Sequence, residues 1–359
     1  MKIHHFFVQK AASAEGCSKQ HASRRRLPAL FLLMLLASLL LTGCSGETQA
    51  EKAAKSCHWP LATASPEDTV TQLYAERFAE EVHERSGGRI TVTVYPNSSL
   101  GGDRELLESC ADADIPFIIQ NTAPQVAFME DLAVFDLPCV FTDTDKLYAR
   151  IDNQSFMHEL DQVYTDGGYR LLGIADQGFR VMTTDKRITA LEDFRGQKIR
   201  TMENPYHLDF WKALGASPLP MSFSEVYIGL QQHTIDAQEN PYEVIVSNRL
   251  YEQQDYVIET NHLPHLLTLI TSEDFMDALS EEDRSVVLAA AEAATAYARE
   301  ASLSRIEERK AIIEESGTEI LTLSPELRSE MIAASEDVYE EIKASVSPAL
   351  YRAYTSSAN

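Results

Sequence analysis

The order of apolar and polar residues in the first part of the chain predicts alternating strands and helices. Residues 89–95 (RITVTVY) alternate with the two-residue period of a half-buried strand. Residues 115–120 (IPFIIQ) form a short apolar run that is typical of a strand buried in a parallel sheet. A helical pattern precedes the first of these strands and ends at Gly87 and Gly88. This β-α-β-α-β order predicts an α/β fold with right-handed crossovers.

One later segment predicts a much longer helix. Residues 281–316 contain neither glycine nor proline, Ser280 and Asp283 form an N-terminal cap pattern, and Gly317 follows the end. At about 1.5 Å per residue this helix would extend about 50 Å, which is longer than one small domain. Such a helix is either a coiled-coil arm or a spine shared by two lobes. The segment lacks sustained heptads, so we expect the spine.

The N-terminal segment has the pattern of an export signal. Residues 1–26 carry six basic side chains and one acidic side chain, and residues 27–44 contain no charged residue. This apolar part is short for a membrane span, which needs about 20 apolar residues. The sequence LLTGC at its end resembles a bacterial lipobox, which predicts cleavage before Cys44 and lipidation of that cysteine. An ordinary signal peptide with an incidental Cys44 is the alternative.

These features predict the location of the protein and exclude one class of partner. We expect residues 1–43 to be a signal peptide with a lipobox and residues 44–56, which are small and polar, to be a tether. The mature protein is then an exported, periplasmic lipoprotein that is anchored to a membrane through Cys44. The whole chain has a formal net charge of −24, which would repel the phosphates of nucleic acids. We therefore expect no nucleic-acid partner.

Cysteine usage fits an oxidising compartment. Cys57, Cys110 and Cys139 remain after the signal and the lipidated cysteine, and none of them forms a CxxC pair. Cys57 opens the first expected strand of the mature chain, and Cys110 lies at the end of a helix just before another strand. In a parallel β-α-β arrangement these two points lie along the same edge of the sheet. We therefore hypothesise a disulfide between Cys57 and Cys110.

Motifs of enzymes and metal sites are missing from the sequence. It contains no GxSxG nucleophile elbow, no phosphate-binding loop and no HExxH pair. His262 and His265 (HLPH) come nearest to a metal pair, but Pro264 between them disfavours a helix that would present both rings. We therefore expect no catalytic residue, no metal and no cofactor.

Residues suited to binding an anion are concentrated between positions 180 and 240. Arg180 starts a predicted strand, Arg200 lies inside the next one, and Asn240 follows a short strand. Phe223 occupies the first turn of a helix that Ser222 is expected to open through a capping box, SxxE. Two guanidiniums near a helix N-terminus, with an aromatic ring and an amide, would form a carboxylate site.

Each of these residues also has a structural alternative that the sequence leaves open. Arg200 could lie in an edge strand and extend its side chain to water, and Arg180 could form an ion pair on the surface. Phe223 could pack in the core, and Asn240 could be a turn residue.

Several motifs in a fixed order carry a family resemblance. The segments SGGRITVTVYPNSSLGGDRELLE, FDLPCVF, LEDFRGQKIR, LGASPLPMSFSEVYIGLQ and IDAQENP resemble the solute-binding proteins of TRAP transporters, of the DctP type. The resemblance covers residues 57–339. It implies a two-lobed, periplasmic-binding-protein-like α/β fold that closes on its ligand like a Venus flytrap, with a hinge and a long helix spanning both lobes. Lobe I is expected at 57–177 and 265–305, and lobe II at 178–264 and 306–359.

The resemblance also implies roles for individual residues. Arg200 matches the arginine that pairs with the ligand carboxylate, Arg180 matches a second arginine facing the same cleft, and Asn240 matches the amide that contacts that carboxylate. Phe223 matches the aromatic residue beside the ligand.

Further ligand contacts are expected from both lobes. Gln120 and Asn121 follow a strand of the first lobe, where the family places the side chains that choose the substrate, and Ser65 comes from the loop after the first strand. Tyr242 replaces a smaller residue common after ENP and is expected at the same site. His233 and Ala111 stand where the family usually has glycine, near helix ends.

The function that follows is capture of a small organic acid. The resemblance implies delivery of that acid to a sodium-coupled TRAP permease made of a small and a large membrane subunit. Mono- and dicarboxylates, including C4-dicarboxylates, keto acids and sugar acids, fit two arginines. One alternative is a receptor that presents its ligand to a membrane histidine kinase, and another is an exported enzyme that uses the cleft as an active site.

Overall fold

The computed structural model describes residues 56–356. The predicted signal peptide, the predicted lipidation site Cys44 and nearly all of the predicted tether lie outside these residues. Within the described range, no helix combines the length and the apolar character that crossing a membrane requires.

Strands and helices alternate along most of residues 56–356. The strands of this range are β1 (Cys57–Ala62), β2 (Ile90–Tyr95), β3 (Phe117–Asn121), β4 (Tyr169–Phe179), β5 (Val181–Thr184), β6 (Lys198–Thr201), β7 (Ser217–Pro220), β8 (Ala237–Asn240), β9 (Tyr256–Glu259), β10 (Pro264–Ser272) and β11 (Glu319–Thr322). The α-helices are α1 (Val70–Arg85), α2 (Asp103–Ala111), α3 (Thr122–Gln125), α4 (Thr144–Ile151), α5 (Gln154–Asp166), α6 (Pro205–Ala213), α7 (Val226–Gln231), α8 (Tyr242–Ser247), α9 (Glu273–Ala278), α10 (Glu281–Glu315), α11 (Pro325–Ala334), α12 (Glu336–Ser345) and α13 (Pro348–Thr355). Short 3-10 helices occupy Glu130–Asp136, Leu191–Phe194, Phe223–Glu225 and Leu250–Gln253.

The first sheet combines strands from early and late in the chain, in the order β2-β1-β3-β10-β4. β1 lies parallel to β2 and to β3, as the β-α-β-α-β pattern predicts. β10 pairs antiparallel with both β3 and β4. All nine residues of β10 are buried, because this strand lies inside the sheet and helices cover both of its faces.

The second sheet has the strand order β11-β9-β5-β8-β6-β7. β5 lies antiparallel to its neighbours β8 and β9, and the other pairs of this sheet are parallel. The chain passes from the first sheet to the second at Arg180, between β4 and β5, and returns between β9 and β10. Each sheet with its helices forms one lobe, so the predicted two-lobed α/β architecture is confirmed.

The predicted long helix is α10, at Glu281–Glu315. The Ser280 side chain accepts a hydrogen bond from the backbone N–H of Asp283 at 3.1 Å, as the cap pattern predicts. Gly317 follows the end with φ +99°, a conformation that side chains disfavour. The helix packs against α1 and β4 of the first lobe and against α8 and β11 of the second. It is therefore a spine shared by the two lobes.

Two arginines of α10 also join the lobes through ion pairs. Arg305 and Arg309 each place Nη2 at 2.8 Å from Oδ1 of Asp68, which lies in the first lobe between β1 and α1. Their Nε atoms lie 2.9 and 3.1 Å from Oε1 of Glu243, in α8 of the second lobe. The Glu243 side chain is buried, so its pairs with the two arginines are screened by water far less than a surface pair, whereas the Asp68 side chain is 63% exposed.

The last two helices pack on the first lobe. Ile342 of α12, with Leu350 and Tyr354 of α13, joins the hydrophobic core that contains Phe135 and Phe156 of that lobe. The lobe boundaries expected from the sequence assigned all of 306–359 to lobe II. In the structure the chain crosses the molecule once more after α11, because these apolar faces complete the core beneath the first sheet.

The structure does not bring together the two cysteines of the hypothesised disulfide. Cys110 is fully buried in the core on one face of the first sheet, beside Ile118. Cys57 packs against the core on the opposite face, with Phe117. The sheet lies between them, so the hypothesis that paired them along one sheet edge is wrong. Burial raises the pKa of the Cys110 thiol to about 12.

Eight residues other than glycine have a positive φ in residues 56–356, and two of them lie at or near the positions where the resemblance predicts glycine. His233 has φ +53° after α7, at a position where glycine was expected from the resemblance. Near the end of α2 the left-handed residue is Ala113, with φ +58°, whereas Ala111 is the last helical residue. The residue with the left-handed backbone near the end of α2 is therefore two positions later in the chain than Ala111, where glycine was expected.

One glycine permits close packing of α10 on the first sheet. Gly173 lies in β4, opposite Leu269 of β10. A Cβ atom added at this position would overlap with Oγ1 of Thr295 in α10 and with the hydroxyl of Tyr74 in α1. Those two oxygens are hydrogen-bonded to each other at 2.5 Å, so neither can move away without losing its partner.

We expect Gly173→Ala to lower the free energy of unfolding by about 1–3 kcal/mol, the usual cost of overpacking a core. Urea denaturation of the purified protein measures this change. Gly102→Ala is the control, because the nearest atom to its added Cβ is the flexible carboxylate end of Glu105. A Gly173→Ala protein as stable as the Gly102→Ala protein would contradict the close approach.

Candidate functional site

Arg200 lies inside the second sheet. Its strand, β6, runs between β8 and β7, and the Arg200 residue is 2% exposed. This excludes the alternative of an edge strand whose arginine reaches water. Nε and Nη2 donate hydrogen bonds to the backbone carbonyl of Met221, at 2.9 and 2.6 Å. These bonds fix the plane of the guanidinium.

Arg200 lines a cleft between the two lobes. The larger part of the cleft is a cavity of about 280 Å³. It is lined mainly by residues 98 and 102–105 of the first lobe and by residues 200, 202, 203 and 221–224 of the second. A smaller part, of about 40 Å³, adjoins it and also contacts Arg200. Both parts share Asp103 and Phe223.

Arg200 carries its charge in this cleft with some of its N–H groups still available. Burial lowers the pKa of Arg200 to about 10, against the opposing attraction of the Glu239 and Asp103 carboxylates, so the side chain stays protonated at neutral pH. Nη1 has no hydrogen-bond partner among residues 56–356. The guanidinium carbon lies 5.9 Å from the centre of the Phe223 ring. A buried guanidinium of this kind favours a planar anion such as a carboxylate.

The smaller part of the cleft brings together several residues that the sequence predicted. Ser65 and Asn121 of the first lobe face Asn240 of the second there. Asn121 donates to the carbonyl of Leu266 at 2.9 Å, and Asn240 donates to Oε1 of Gln238 at 2.7 Å. Both amides are therefore held in place by the protein before a ligand arrives.

Arg180 does not line either part of the cleft. It is 1% exposed and forms a two-pronged ion pair with the buried Glu239, through Nε to Oε2 and through Nη2 to Oε1 at 2.8 Å. Nη1 lies beside Nδ1 of His265, and Nη2 also reaches Oδ1 of Asn240 at 3.3 Å. Arg180 was expected to be the second arginine of the ligand site. Its N–H groups are instead bonded to other side chains of the protein, and the carboxylate of Glu239 neutralises its charge.

Two other predicted ligand contacts also lie away from the cleft. Gln120 is 2% exposed, and its amide donates to the carbonyl and to Oδ1 of Asp103, both at 2.9 Å. Tyr242 donates to Oε1 of Glu259 at 2.9 Å and lies under the ammonium of Lys310. Gln120 therefore holds the side chain of Asp103 in place, and Tyr242 belongs to the core of the second lobe.

The start of the helical segment at Phe223 differs from the predicted capping box. Ser222 makes no side-chain capping bond and precedes the 3-10 helix Phe223–Glu225, which α7 follows. The Ser222 residue lines the larger cavity instead.

A cluster of buried polar groups that the sequence did not reveal lies behind the cleft. Glu239 accepts a hydrogen bond from Nε2 of His262 at 3.1 Å as well as from Arg180. Burial alone would raise the pKa of Glu239, but Arg180 and His262 hold it well below its usual range. Burial also lowers the pKa values of two histidines of the HLPH segment, His262 between β9 and β10 and His265 within β10. In the sequence, the two histidines on either side of Leu263 and Pro264 were the one feature that pointed to this cluster.

The same cluster continues across the lobes. Nε2 of His207, in α6, lies 2.9 Å from Oδ1 of Asp136 in the first lobe. Asn204, which caps α6, donates to Oδ2 of Asp136 at 2.7 Å and to the carbonyl of Ala123 at 2.9 Å. Nδ1 of His207 lies 4.0 Å from Oε1 of Glu239. Polar contacts therefore join the two lobes directly behind the site.

We expect the folded protein to lose stability as the pH falls from 7 to 5. His262 and His265 have folded pKa values below the ordinary 6.5, so in this window the unfolded chain binds protons that the folded chain excludes. Each such histidine lowers the free energy of unfolding by about 1.4 kcal/mol per pH unit at most. Glu239 lowers the free energy of unfolding further once the pH falls below 4.5, the ordinary pKa of a glutamate, because its pKa in the folded protein is lower.

Urea titrations at several pH values measure this slope. His265→Gln is expected to flatten it, whereas His158→Gln, at an exposed histidine of α5, is the matched control and should keep the original slope. If the free energy of unfolding changes equally with pH in both variants between pH 7 and 5, the buried His265 ring does not cause the loss of stability.

Comparison with known proteins gives a consistent result. The profile of the bacterial extracellular solute-binding proteins, family 7 (DctP), matches residues 61–345. The ectoine-binding periplasmic protein TeaA of Halomonas elongata is 34% identical over 277 residues, which are 77% of this chain and 79% of TeaA.

Solved structures of similar proteins share the fold. The sugar acid binding protein DctPAm of Advenella mimigardefordensis, in complex with galactonate, has a TM-score of 0.80 at 27% identity and covers 84% of this chain and 97% of its own. A TRAP periplasmic solute-binding protein of Shewanella oneidensis with bound succinate has the same TM-score and identity, over 84% of this chain and 98% of its own. The resemblance inferred from the motifs is thus confirmed, and the chain belongs to the bacterial extracellular solute-binding proteins of family 7, the periplasmic DctP-type binding proteins of TRAP transporters.

Proposed function

We propose that this protein captures a small organic acid in the cleft between its lobes and holds the carboxylate on Arg200. The observation that carries this proposal is the buried, charged guanidinium of Arg200, which faces the cleft with Nη1 unpaired among residues 56–356. An anion that enters the cleft completes the hydrogen bonds of this group. A neutral ligand would leave it desolvated without a partner, which is costly.

The neighbours of Arg200 suit a carboxylate with an apolar or partly polar body. Phe223 offers the face of its ring beside the guanidinium, and Asn240 lies in the adjoining part of the cleft. Met202 adds an apolar wall to both parts. The relatives support this chemistry, because the names of three of them give ectoine, galactonate and succinate as ligands, and each of these molecules carries a carboxylate.

Closure of the two lobes would couple binding to transport. A ligand in the cleft contacts residues of both lobes, so it favours the conformation in which those contacts exist together. The chain crosses between the lobes at Arg180 and again between β9 and β10, α10 bridges them a third time, and the chain returns to the first lobe after α11. We propose that bending at these crossings opens and closes the cleft, and that the closed form delivers the acid to a sodium-coupled permease with a small and a large membrane subunit.

We expect Arg200→Lys to weaken binding of the organic acid by roughly 30-fold or more, because a lysine keeps the charge but lacks the two-pronged donor geometry; this corresponds to about 2 kcal/mol. Isothermal titration calorimetry measures the affinity once a thermal-shift panel of organic acids has identified a ligand. A ligand at 100 times its dissociation constant stabilises the folded state by about 2.7 kcal/mol, which a thermal shift detects.

Arg195→Lys is the matched control, since Arg195 is exposed and lies just before the same strand. The proposal fails if Arg200→Lys binds the acid as tightly as the Arg195→Lys protein. It also fails if no acid of the panel shifts the unfolding temperature.

We also propose that Cys44 anchors the exported protein to a membrane through a lipid. Cys44→Ser is then expected to move the protein from the membrane fraction to the soluble extracytoplasmic fraction of expressing cells, because the acyl chains supply the anchoring energy. Fractionation followed by immunoblotting measures the distribution, with Cys57→Ser as the control that should stay in the membrane fraction. Equal membrane fractions for Cys44→Ser and the control would exclude the anchor.

A further inference from the structure

A carboxylate of the protein faces the ligand cleft from the lobe opposite Arg200. Asp103 is the first residue of α2, follows Gly101 and Gly102, and lines both parts of the cleft. Oδ1 of Asp103 accepts a hydrogen bond from Nε2 of Gln120 at 2.9 Å, and the same nitrogen donates to the backbone carbonyl of Asp103 at 2.9 Å. Gln120 therefore fixes the orientation of this carboxylate.

The second oxygen of Asp103 is available to a ligand. Among residues 56–356, Oδ2 has no hydrogen-bond partner. Burial raises the pKa of Asp103, against the opposing hydrogen bond from Gln120 and the positive charge of Arg200. In its ionised form this carboxylate only accepts hydrogen bonds, so the group that completes it is a donor. Because Asp103 and Arg200 belong to opposite lobes, a ligand that satisfies both bridges the cleft.

The charges around the larger cavity disfavour a second ligand carboxylate. Its lining contains the carboxylates of Asp103, Glu105 and Glu203, against the guanidiniums of Arg104 and Arg200. The Arg104 side chain is 52% exposed, and its Nε lies 3.7 Å from Oε2 of Glu203, so water and that carboxylate already balance it. Arg200 is thus the one buried cation of this lining. A dicarboxylate held by Arg200 would direct its other end towards like charge.

We infer that the ligand, in the function proposed above, is a monocarboxylate whose far end carries a hydrogen-bond donor, and that Asp103 selects it by accepting that donor. Hydroxyl groups of a sugar acid and the N–H groups of a zwitterionic amino or amidino acid supply the same contact. A C4-dicarboxylate has a second carboxylate at that end, which can only accept hydrogen bonds. Asp103 is therefore the residue that separates these two classes of organic acid.

Two matched pairs of acids test the class of ligand on the full, processed protein. Galactonate and galactarate share their hydroxyls and differ in the distal group, which is CH₂OH in one and a carboxylate in the other. 4-Aminobutyrate and succinate differ in the same way, with an ammonium against a carboxylate. A thermal-shift panel that contains both pairs, other hydroxy and amino acids and other dicarboxylates gives the ranking, and calorimetry gives the affinities.

We expect the tightest ligand to be an acid with a distal donor, bound at least about tenfold more tightly than its matched dicarboxylate, which corresponds to 1.4 kcal/mol. The pairs also show whether the donor is a hydroxyl or a cation. A dicarboxylate as the tightest ligand, lost in Arg200→Lys, overturns this inference and leaves the proposed function intact. A panel without any binding acid overturns both.

A variant of Asp103 tests the residue itself. Asp103→Asn keeps the shape of the side chain and removes the charge, so the preference for the distal donor should fall about tenfold or more, with the dicarboxylate gaining affinity. Asp112→Asn removes one charge at the other end of the same helix, outside the cleft, and should leave the preference unchanged.

Two further measurements separate selection from folding. Thermal unfolding of ligand-free Asp103→Asn shows whether the variant folds, and Asp103→Ser, with a smaller side chain, repeats the test if it does not. A folded variant that keeps the original preference between matched acids contradicts the inference.

Discussion

The buried ion pair between Arg180 and Glu239 is the contact around which the two lobes are organised. Arg180 stands where the chain leaves the first sheet, Glu239 lies in β8 of the second sheet, and their side chains are 1% and 0% exposed. Removing one partner of such a pair leaves an uncompensated buried charge, at a cost of about 3–5 kcal/mol. His262 and His265, from the returning crossing, contact the same pair. The crossing at Arg180 and the crossing between β9 and β10 are therefore tied to one set of charges.

This pair also explains why two arginines of equal charge have different roles. Glu239 occupies the fork of Arg180, so that guanidinium has little left to offer a ligand. Arg200 makes its hydrogen bonds to a neutral carbonyl of Met221, which leaves its charge uncompensated within bonding distance. The cleft consequently presents one strong anion-binding group, and the acidic side chain of Asp103 faces it from the other lobe. In the function that we propose, selection for a carboxylate and selection against a second one reside in separate lobes.

Contacts between the lobes enclose the cleft without filling it. Asn204 and His207 reach Asp136 behind the site, and the arginines of α10 join Asp68 to Glu243. Between these contacts the lobes are separated by a cavity of about 280 Å³. A small organic acid is of a size to complete the interface there, which is how a binding protein makes closure depend on its ligand.

Local patterns along the chain determined the elements that depend on neighbouring residues. The cap at Ser280, the run without glycine or proline and Gly317 specify α10, and the alternation in residues 89–95 specifies β2. The ordered motifs identified the family and, with it, Arg200. The tertiary structure decided what depends on distant partners: the insertion of β10 between β3 and β4, the return of α13 to the first lobe, and the separation of Cys57 from Cys110. It also decided that Arg180 pairs with Glu239, because a side chain's partner is set by which strands meet in space, and residues 59 positions apart in the chain carry no local sign of that meeting.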